Sequence, residues 1–588
     1  MRRAALLLLT LLGGWLLTGV LVAGPASAHA QLESTTPESG GRVATAPSDV
    51  TLHFSEQVSV GAGYARVLDA HNARVDTGSP KVEGDVLTIP LRSGLADGGY
   101  LVTYRVISAD SHPVSGSFSF VVGNGPLVAA TAADHGPSID PGVAAALPVT
   151  RWIGYAGIAL AVGLPVLVLI CWPAGWTSAR LRRLTLWGAG AVAVGALLGF
   201  LVQGPYAAGS GLGSVFDPSL LGTTAAGGFG MVLIVRAALA LVFLAVVARA
   251  WRGAAPSSWF APAAGALGLG LIIATAAVGH PVAGPWPGLE LPVTVVHVAS
   301  MAVWLGGLTG LLVGVLRPEV TATQLGVALP RFSRLAFGSV VALVATGIVQ
   351  SVREVGSPAA LVSTEYGWLL VAKLLVVAVI LAAAGVSRVW VQQHFGVHRS
   401  RPGGRRRVTA QAFAAEAPVE LEDAAVGERA KVQAGAAAEH LPPFRRSVVT
   451  ELLLAVVVLG ITSVLVGAPP AESALAQPVD VTLPLQGSSG ASGSVQVSID
   501  PARPGPNSLH LYLFDDNGQL TQPAQITVTL ADPQQQIGPI AVALQPAGPG
   551  HYVAEAMAIP SAGTWTLAVN VRADEFTARS ASTDFVVR

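Results

Sequence analysis

The chain has 588 residues, 52% of them hydrophobic and 12% charged, with 34 basic and 34 acidic side chains balancing to zero. Its mean hydropathy of +0.59 puts much of it in lipid, and the charge balance gives no electrostatic reason to expect nucleic acid as a partner. The single cysteine, Cys171, excludes an intrachain disulfide or a thiolate metal cluster, so metal chemistry would rest on 12 histidines, four methionines and the carboxylates.

Residues 1–28 read as a secretory signal peptide. Arg2 and Arg3 precede an apolar run over 4–22, and Ala26-Ser27-Ala28 supplies the small residues of a cleavage site. Cleavage there makes His29 the mature N-terminus. Residues 29–123 predict a small β-sandwich. The stretches 50–58, 65–69, 86–91, 100–107 and 116–122 are rich in Val, Tyr, Phe and Thr, and Gly, Pro and Asp separate them. A low-complexity linker occupies 124–144.

Over 145–470 the sequence predicts a bundle of eight transmembrane helices, near 145–171, 184–204, 229–249, 259–279, 291–316, 332–352, 366–390 and 447–468. The loops fix an orientation in the cytoplasmic membrane. Those after odd-numbered spans carry Arg180, Arg182 and Arg183; Arg249 and Arg252; Arg317 and Arg331; and Arg399, Arg401 and 405–407. Loops after even-numbered spans carry only Arg353. Basic loops stay inside, so both termini are expected outside the cytoplasm. The polar segment 392–443 is then a cytoplasmic tether. Residues 478–588 turn β-like again, with strands near 494–499, 508–514, 524–530, 540–544 and 564–571, and form a second outer sandwich.

Asp110 and His112 stand two apart in Ser108-Ala109-Asp110-Ser111-His112-Pro113 at a strand end, where a turn can aim both at one ligand. His29 would add an amine and an imidazole. Two nitrogen-rich groups and a carboxylate suit Cu(II), and Zn(II) could use the same set. In the membrane part, His280 closes the fourth span, while His297 and Met301 share a helical face in the fifth. They are candidates for a copper path, with Met301 a soft ligand suited to Cu(I). Arg236 and Lys373 lie at similar depth and need an anionic or polar partner, such as Glu290, an anionic ligand or haem propionates. His53 and His71 read as ordinary strand or surface histidines; His510, His551 and Met557 read as isolated structural residues.

His29-Ala30-Gln31-Leu32, Thr36-Pro37-Glu38-Ser39-Gly40, Leu52-His53-Phe54-Ser55-Glu56 and the Asp110-to-Gly116 stretch resemble the periplasmic copper-binding CopC family. That resemblance implies a Greek-key sandwich holding Cu(II) through His29, Asp110 and His112. No methionine lies between His29 and the first span, so the Cu(I)-binding methionine loop of some members is missing. Gly279-His280, the His297-to-Leu308 segment with Trp304-Leu305-Gly306-Gly307, Gly367-Trp368-Leu369-Leu370 with Lys373, and Arg445-Arg446-Ser447 with Glu451 resemble the CopD family. The order points to fused CopC–CopD copper importers, and the tail resembles the Ig-like YtkA or FixH domains. Copper ions, membrane lipid and a periplasmic copper donor or acceptor are the implied partners. The resemblance implies import, with no enzymatic activity; copper tolerance or delivery to periplasmic cuproenzymes, and a haem-binding redox role, stay open as alternatives. No nucleotide-hydrolysis motif is present.

Overall fold

The computed structural model describes residues 30, 32–108, 112–123, 139–253, 255–279, 287–356, 358, 360–395, 441–471, 479–487, 490–500, 502–516, 519–548, 550–573 and 577–587. Of the expected site, His29, Asp110 and His280 lie outside these residues, as does most of the segment 392–443.

The first domain is a β-sandwich of two four-stranded sheets. One has the order β1 (Leu32–Thr36), β3 (Asp49–Phe54), β6 (Val86–Pro90), β5 (Lys81–Glu83). The other has β2 (Arg42–Val43), β8 (Pro113–Val122), β7 (Gly98–Ser108), β4 (Val58–Asp69). Period-two alternation sends Val50, Leu52 and Phe54 of β3 inward against Val102, Tyr104 and Val106 of β7, all buried. Along β7 the intervening Leu101, Thr103 and Arg105 are buried as well. A strand buried on both faces has a second neighbour, which here is the helical part of the chain.

That part opens with α1 (Pro141–Val166). Asp140 caps it by accepting from the Gly142 and Val143 amides, and Pro141 sits where no amide is needed. There follow α2 (Ala179–Ala208), the short α3 (Pro218–Ala226), α4 (Gly228–Ala250), α5 (Phe260–Ala276), α6 (Pro287–Gly310), α7 (Ala322–Val355), the single turn α8 (Ala360–Ser363), α9 (Glu365–Phe395) and α10 (Leu441–Leu465). Seven of these helices are long and apolar enough to cross a membrane; α5, at 17 residues, makes the eighth and shortest of the expected set. Trp187, Leu197, Leu241, Leu375 and Val386 point outward from the bundle, as lipid-facing side chains should.

Small residues let the helices approach. A β-carbon at Gly163 of α1 would collide with the Ala302 carbonyl of α6, and one at Gly306 with the Ala159 carbonyl. Gly307 is filled in the same way by the Phe332 ring of α7. The Trp-Leu-Gly-Gly stretch is thus a packing seam.

The last domain is antiparallel throughout, in the order β13 (Ile537–Val542), β12 (Gln525–Asp532), β16 (Gly563–Arg572), β17 (Ala578–Val587), β9 (Val479–Gly487), β10 (Gly490–Asp500), β11 (Gly505–Phe514), β15 (His551–Ile559), β14 (Gln545–Gly548). Among the described residues β17 and β9 share two residue pairs, Arg579 with Gly487 and Ser580 with Gln486. At that corner the sheet folds on itself around Leu485, Val497, Leu511, Leu530, Trp565 and Phe585.

Candidate functional site

β7 and β8 form a hairpin whose end is closed by the Ser108 amide donating to the His112 carbonyl at 3.0 Å. Glu56 accepts from the Ser108 hydroxyl at 2.7 Å, which brings a carboxylate to the end of β7, two residues before Asp110 in sequence. Sequence reading quoted Glu56 only as part of a motif. His112 is 7% exposed although it ends a hairpin, because it is pressed against the helices. Its Nε2 lies 3.3 Å from the Gly467 carbonyl just beyond α10, and its ring stands edge-on to Tyr206 of α2 at 6.3 Å.

Arg105, on the same strand, fixes this docking. It donates through Nε to the Ala207 carbonyl at 2.7 Å and through a terminal nitrogen to Tyr206 at 3.3 Å. These are last-turn carbonyls of α2, at its negative end, and that of Tyr206 also accepts from the capping Gly209 amide at 3.4 Å. Arg151 reaches the Ser463 carbonyl near the end of α10, and Arg236 donates twice to Ala274 near the end of α5, at 3.2 and 2.6 Å. Three arginines therefore cap three helix C-termini on the face that carries the β-domains. Arg236 needs no carboxylate for this role. Glu290, one of the partners considered for it, is paired with Arg353 at 2.7 Å instead. Arg353 is itself 7% exposed, so the one basic residue that departs from the loop pattern belongs to a buried ion pair.

Beneath His112 a cavity of about 60 Å³ runs into the bundle, lined among others by Arg151, Tyr155, Gln203, Tyr206, Arg236 and Gly279. That volume admits a few waters or a partly hydrated ion. Gly279 brings the wall to the residue before His280. A second cavity of about 270 Å³ opens nearer the other face, between Trp304, Phe332, Arg388 and Glu451. Glu451 is 2% exposed and accepts from Ser387 at 2.6 Å.

His297 faces α7 and belongs to a polar ladder. Glu290, Thr294 and His297 on α6 meet Arg353, Gln350 and Thr346 on α7; the last two rungs measure 3.0 Å (Gln350 to Thr294) and 2.8 Å (His297 Nδ1 to Thr346). The Thr346 hydroxyl donates to the Ala342 carbonyl at 2.6 Å, so it accepts from His297. That arrangement puts the imidazole proton on Nδ1 and leaves the Nε2 lone pair for a ligand. Met301 follows one turn deeper, half-buried. Lys373 of α9 is half-buried, and Glu354 is the carboxylate whose charge acts on it. His53 lies within β3 and His71 in an exposed turn. Among the described residues no three His, Cys, Asp or Glu side chains converge on one point, since two of the three expected outer ligands fall outside them.

A multipass helical bundle with an N-terminal histidine-bearing sandwich docked on one face defines the class. Residues 32–123 match the CopC domain, 139–288 the copper resistance protein D-like N-terminal domain, 326–421 copper resistance protein D, and 489–583 FixH. The copper transport protein CutJ of Bacillus subtilis (strain 168) is a homologue, 28% identical over 391 residues, covering 63% of this chain and 70% of that protein. Copper resistance protein C of Pseudomonas syringae pv. tomato is 37% identical over 112 residues, 18% of this chain and 88% of that one. The crystal structure of CopC from Methylosinus trichosporium OB3b is 31% identical over 16% of this chain and 93% of that chain, with a TM-score of 0.15. The chain belongs to the CopC family through its first domain, which it carries fused to a CopD membrane domain and a FixH domain.

Proposed function

We propose that this protein captures Cu(II) outside the cytoplasm at His29, Asp110 and His112 and imports copper through the bundle. The observation that carries the reading is the double membership of His112. It belongs to the copper-family hairpin and to the wall of the cavity that enters the membrane domain. A copper ion released from His112 would meet helix C-terminal carbonyl oxygens beside the guanidinium groups of Arg151 and Arg236. Arg151 and Arg236 satisfy some of those carbonyls and, as cations beside the path, limit how long a metal ion dwells there. His280, His297 Nε2 and Met301 are the proposed ligands of the inward route. Basic loops on the face away from the β-domains support an orientation with both outer domains outside the cytoplasmic membrane. The membrane potential then favours entry of a cation by about 2.3 kcal/mol per charge per 100 mV, without nucleotide hydrolysis.

The test is cellular copper content in a deletion strain carrying wild type, His112→Ala or His297→Ala, at limiting and at excess copper. Import requires lower copper in both variants at limiting supply. Unchanged copper at limiting supply, with sensitivity to excess copper, would replace import by tolerance or delivery, the reading the FixH domain favours.

A further inference from the structure

His510 and His551, 41 residues apart in sequence, are neighbours in the last domain. β11 and β15 pair so that Tyr512 stands opposite His551 and His510 opposite Val553. The two histidines are therefore diagonal on one face of the sheet. The sequence reading of them as isolated is corrected by this register, because β15 was not recognised as a strand. His510 Nδ1 and His551 Nε2 point at each other across 3.2 Å. The Tyr512 ring stacks on His551 with centroids 4.4 Å apart and an interplanar angle of 14°, which fixes its orientation. Met557, the third residue of the expected set, lies six residues along β15 opposite Asn507 and takes no part.

This face is turned away from the domain core, which takes Leu509, Leu511 and Leu513 from the same strand. His551 is nonetheless 2% exposed and Tyr512 7%. The first domain supplies the cover: the Tyr512 hydroxyl donates to the Ser39 carbonyl at 3.0 Å, and the ring lies where a β-carbon of Gly40 would be. Gly40 has a φ of +70°, so both its conformation and its contact require glycine. The histidine pair thus lies beside the contact between the two β-domains.

Across this distance one imidazole can donate to the other, or both can turn a lone pair to one ion. Two metal–nitrogen bonds of about 2.0 Å with their nitrogens 3.2 Å apart enclose roughly 105°, an ordinary angle between two ligands of one ion.

We propose that His510 and His551 form a second copper site, in the FixH domain and next to the CopC domain, with Tyr512 as its positioning residue. Two imidazoles, with no thiolate or carboxylate converging on them among the described residues, suit a borderline divalent ion, and Cu(II) heads that affinity series. Water would complete the coordination. The choice of copper rests on the proposed function; the two-histidine site itself does not.

The experiment is Cu(II) titration of the full chain, purified in detergent, read by bound-metal analysis and electron paramagnetic resonance. Wild type should bind one equivalent more than His510→Gln, and His112→Ala should keep the signal that His510→Gln loses. His551→Gln serves as a second variant, and unchanged thermal unfolding of His510→Gln excludes misfolding as the cause. Equal copper stoichiometry in wild type and both glutamine variants would overturn the site. Loss of the extra equivalent without any effect of His112→Ala on cellular copper would sink the import reading and leave this site standing. A site that prefers Zn(II) over Cu(II) in competition would overturn the assignment of copper.

Discussion

At the residue scale a few side chains matter most, and their neighbours decide what they can do. His112 and His53 are both histidines of the first domain, but only His112 touches the helices. His112→Ala is expected to weaken Cu(II) binding at the outer site by about 100-fold or more, and His53→Ala to leave it unchanged, by competition with a chromogenic copper chelator. Equal effects would remove the assigned site. Asp76 tests electrostatics away from the metal. Burial would raise its carboxyl, but the Arg74 guanidinium at 2.5 Å and the Val67 amide outweigh it and hold it below the ordinary carboxylate range. A lowered value means this contribution is fully present above about pH 4 and fades as pH falls further. Asp76→Asn should therefore speed hydrogen exchange in β4 and β6 at pH 6, equivalent to about 1 kcal/mol, and lose that difference towards pH 2. The sequence displayed His112 because Asp-x-His is a local pattern. Arg105 and Glu56 gave no such signal: their partners are 101 and 52 residues away in sequence, and only the docked fold brings them together.

At the element scale, helices were far more legible than strands. A span longer than 20 apolar residues is defined by lipid thickness alone, and the expected segments overlap α1, α2, α4 to α7, α9 and α10. Among strands, β3, β4, β6, β7 and β8 were readable from their alternation. β1, β2 and β5 were not, since they are short edge or near-edge strands with few buried residues. β15 was missed because His551-Tyr552-Val553-Ala554-Glu555 follows a Gly-Pro-Gly turn and carries small and polar residues where β-branched ones were sought. That omission hid the histidine pair. Helix contacts offer two predictions. Gly306→Val should lower the melting temperature in detergent, at a cost of about 1–3 kcal/mol from overpacking against α1, while Gly190→Ala, whose β-carbon meets open space, should not. Thr346→Val removes the acceptor that holds His297 in its tautomer. It should reduce transport without changing Cu(II) binding at the outer site, and unchanged transport would leave the α6–α7 ladder a purely structural device.

At the scale of the whole molecule, the two β-domains flank the chain's membrane part and meet each other through Tyr512 and Ser39. The first domain rests on α2 and α10 through Arg105 and His112. Domain order in the sequence announced the parts; the docking surfaces did not show, because they are made of carbonyl groups at helix ends and of glycines, which have no distinctive pattern. In the proposed route copper leaves His112 through the cavity below it. Gly154 lines that cavity and has open space where a side chain would begin, so Gly154→Phe should fill the passage without disturbing the sandwich. The measurement is copper accumulation by proteoliposomes containing the full chain, with Cu(II) binding followed in parallel. Gly154→Phe should bind Cu(II) as wild type does and accumulate little or none. Wild-type accumulation by that variant would contradict the route.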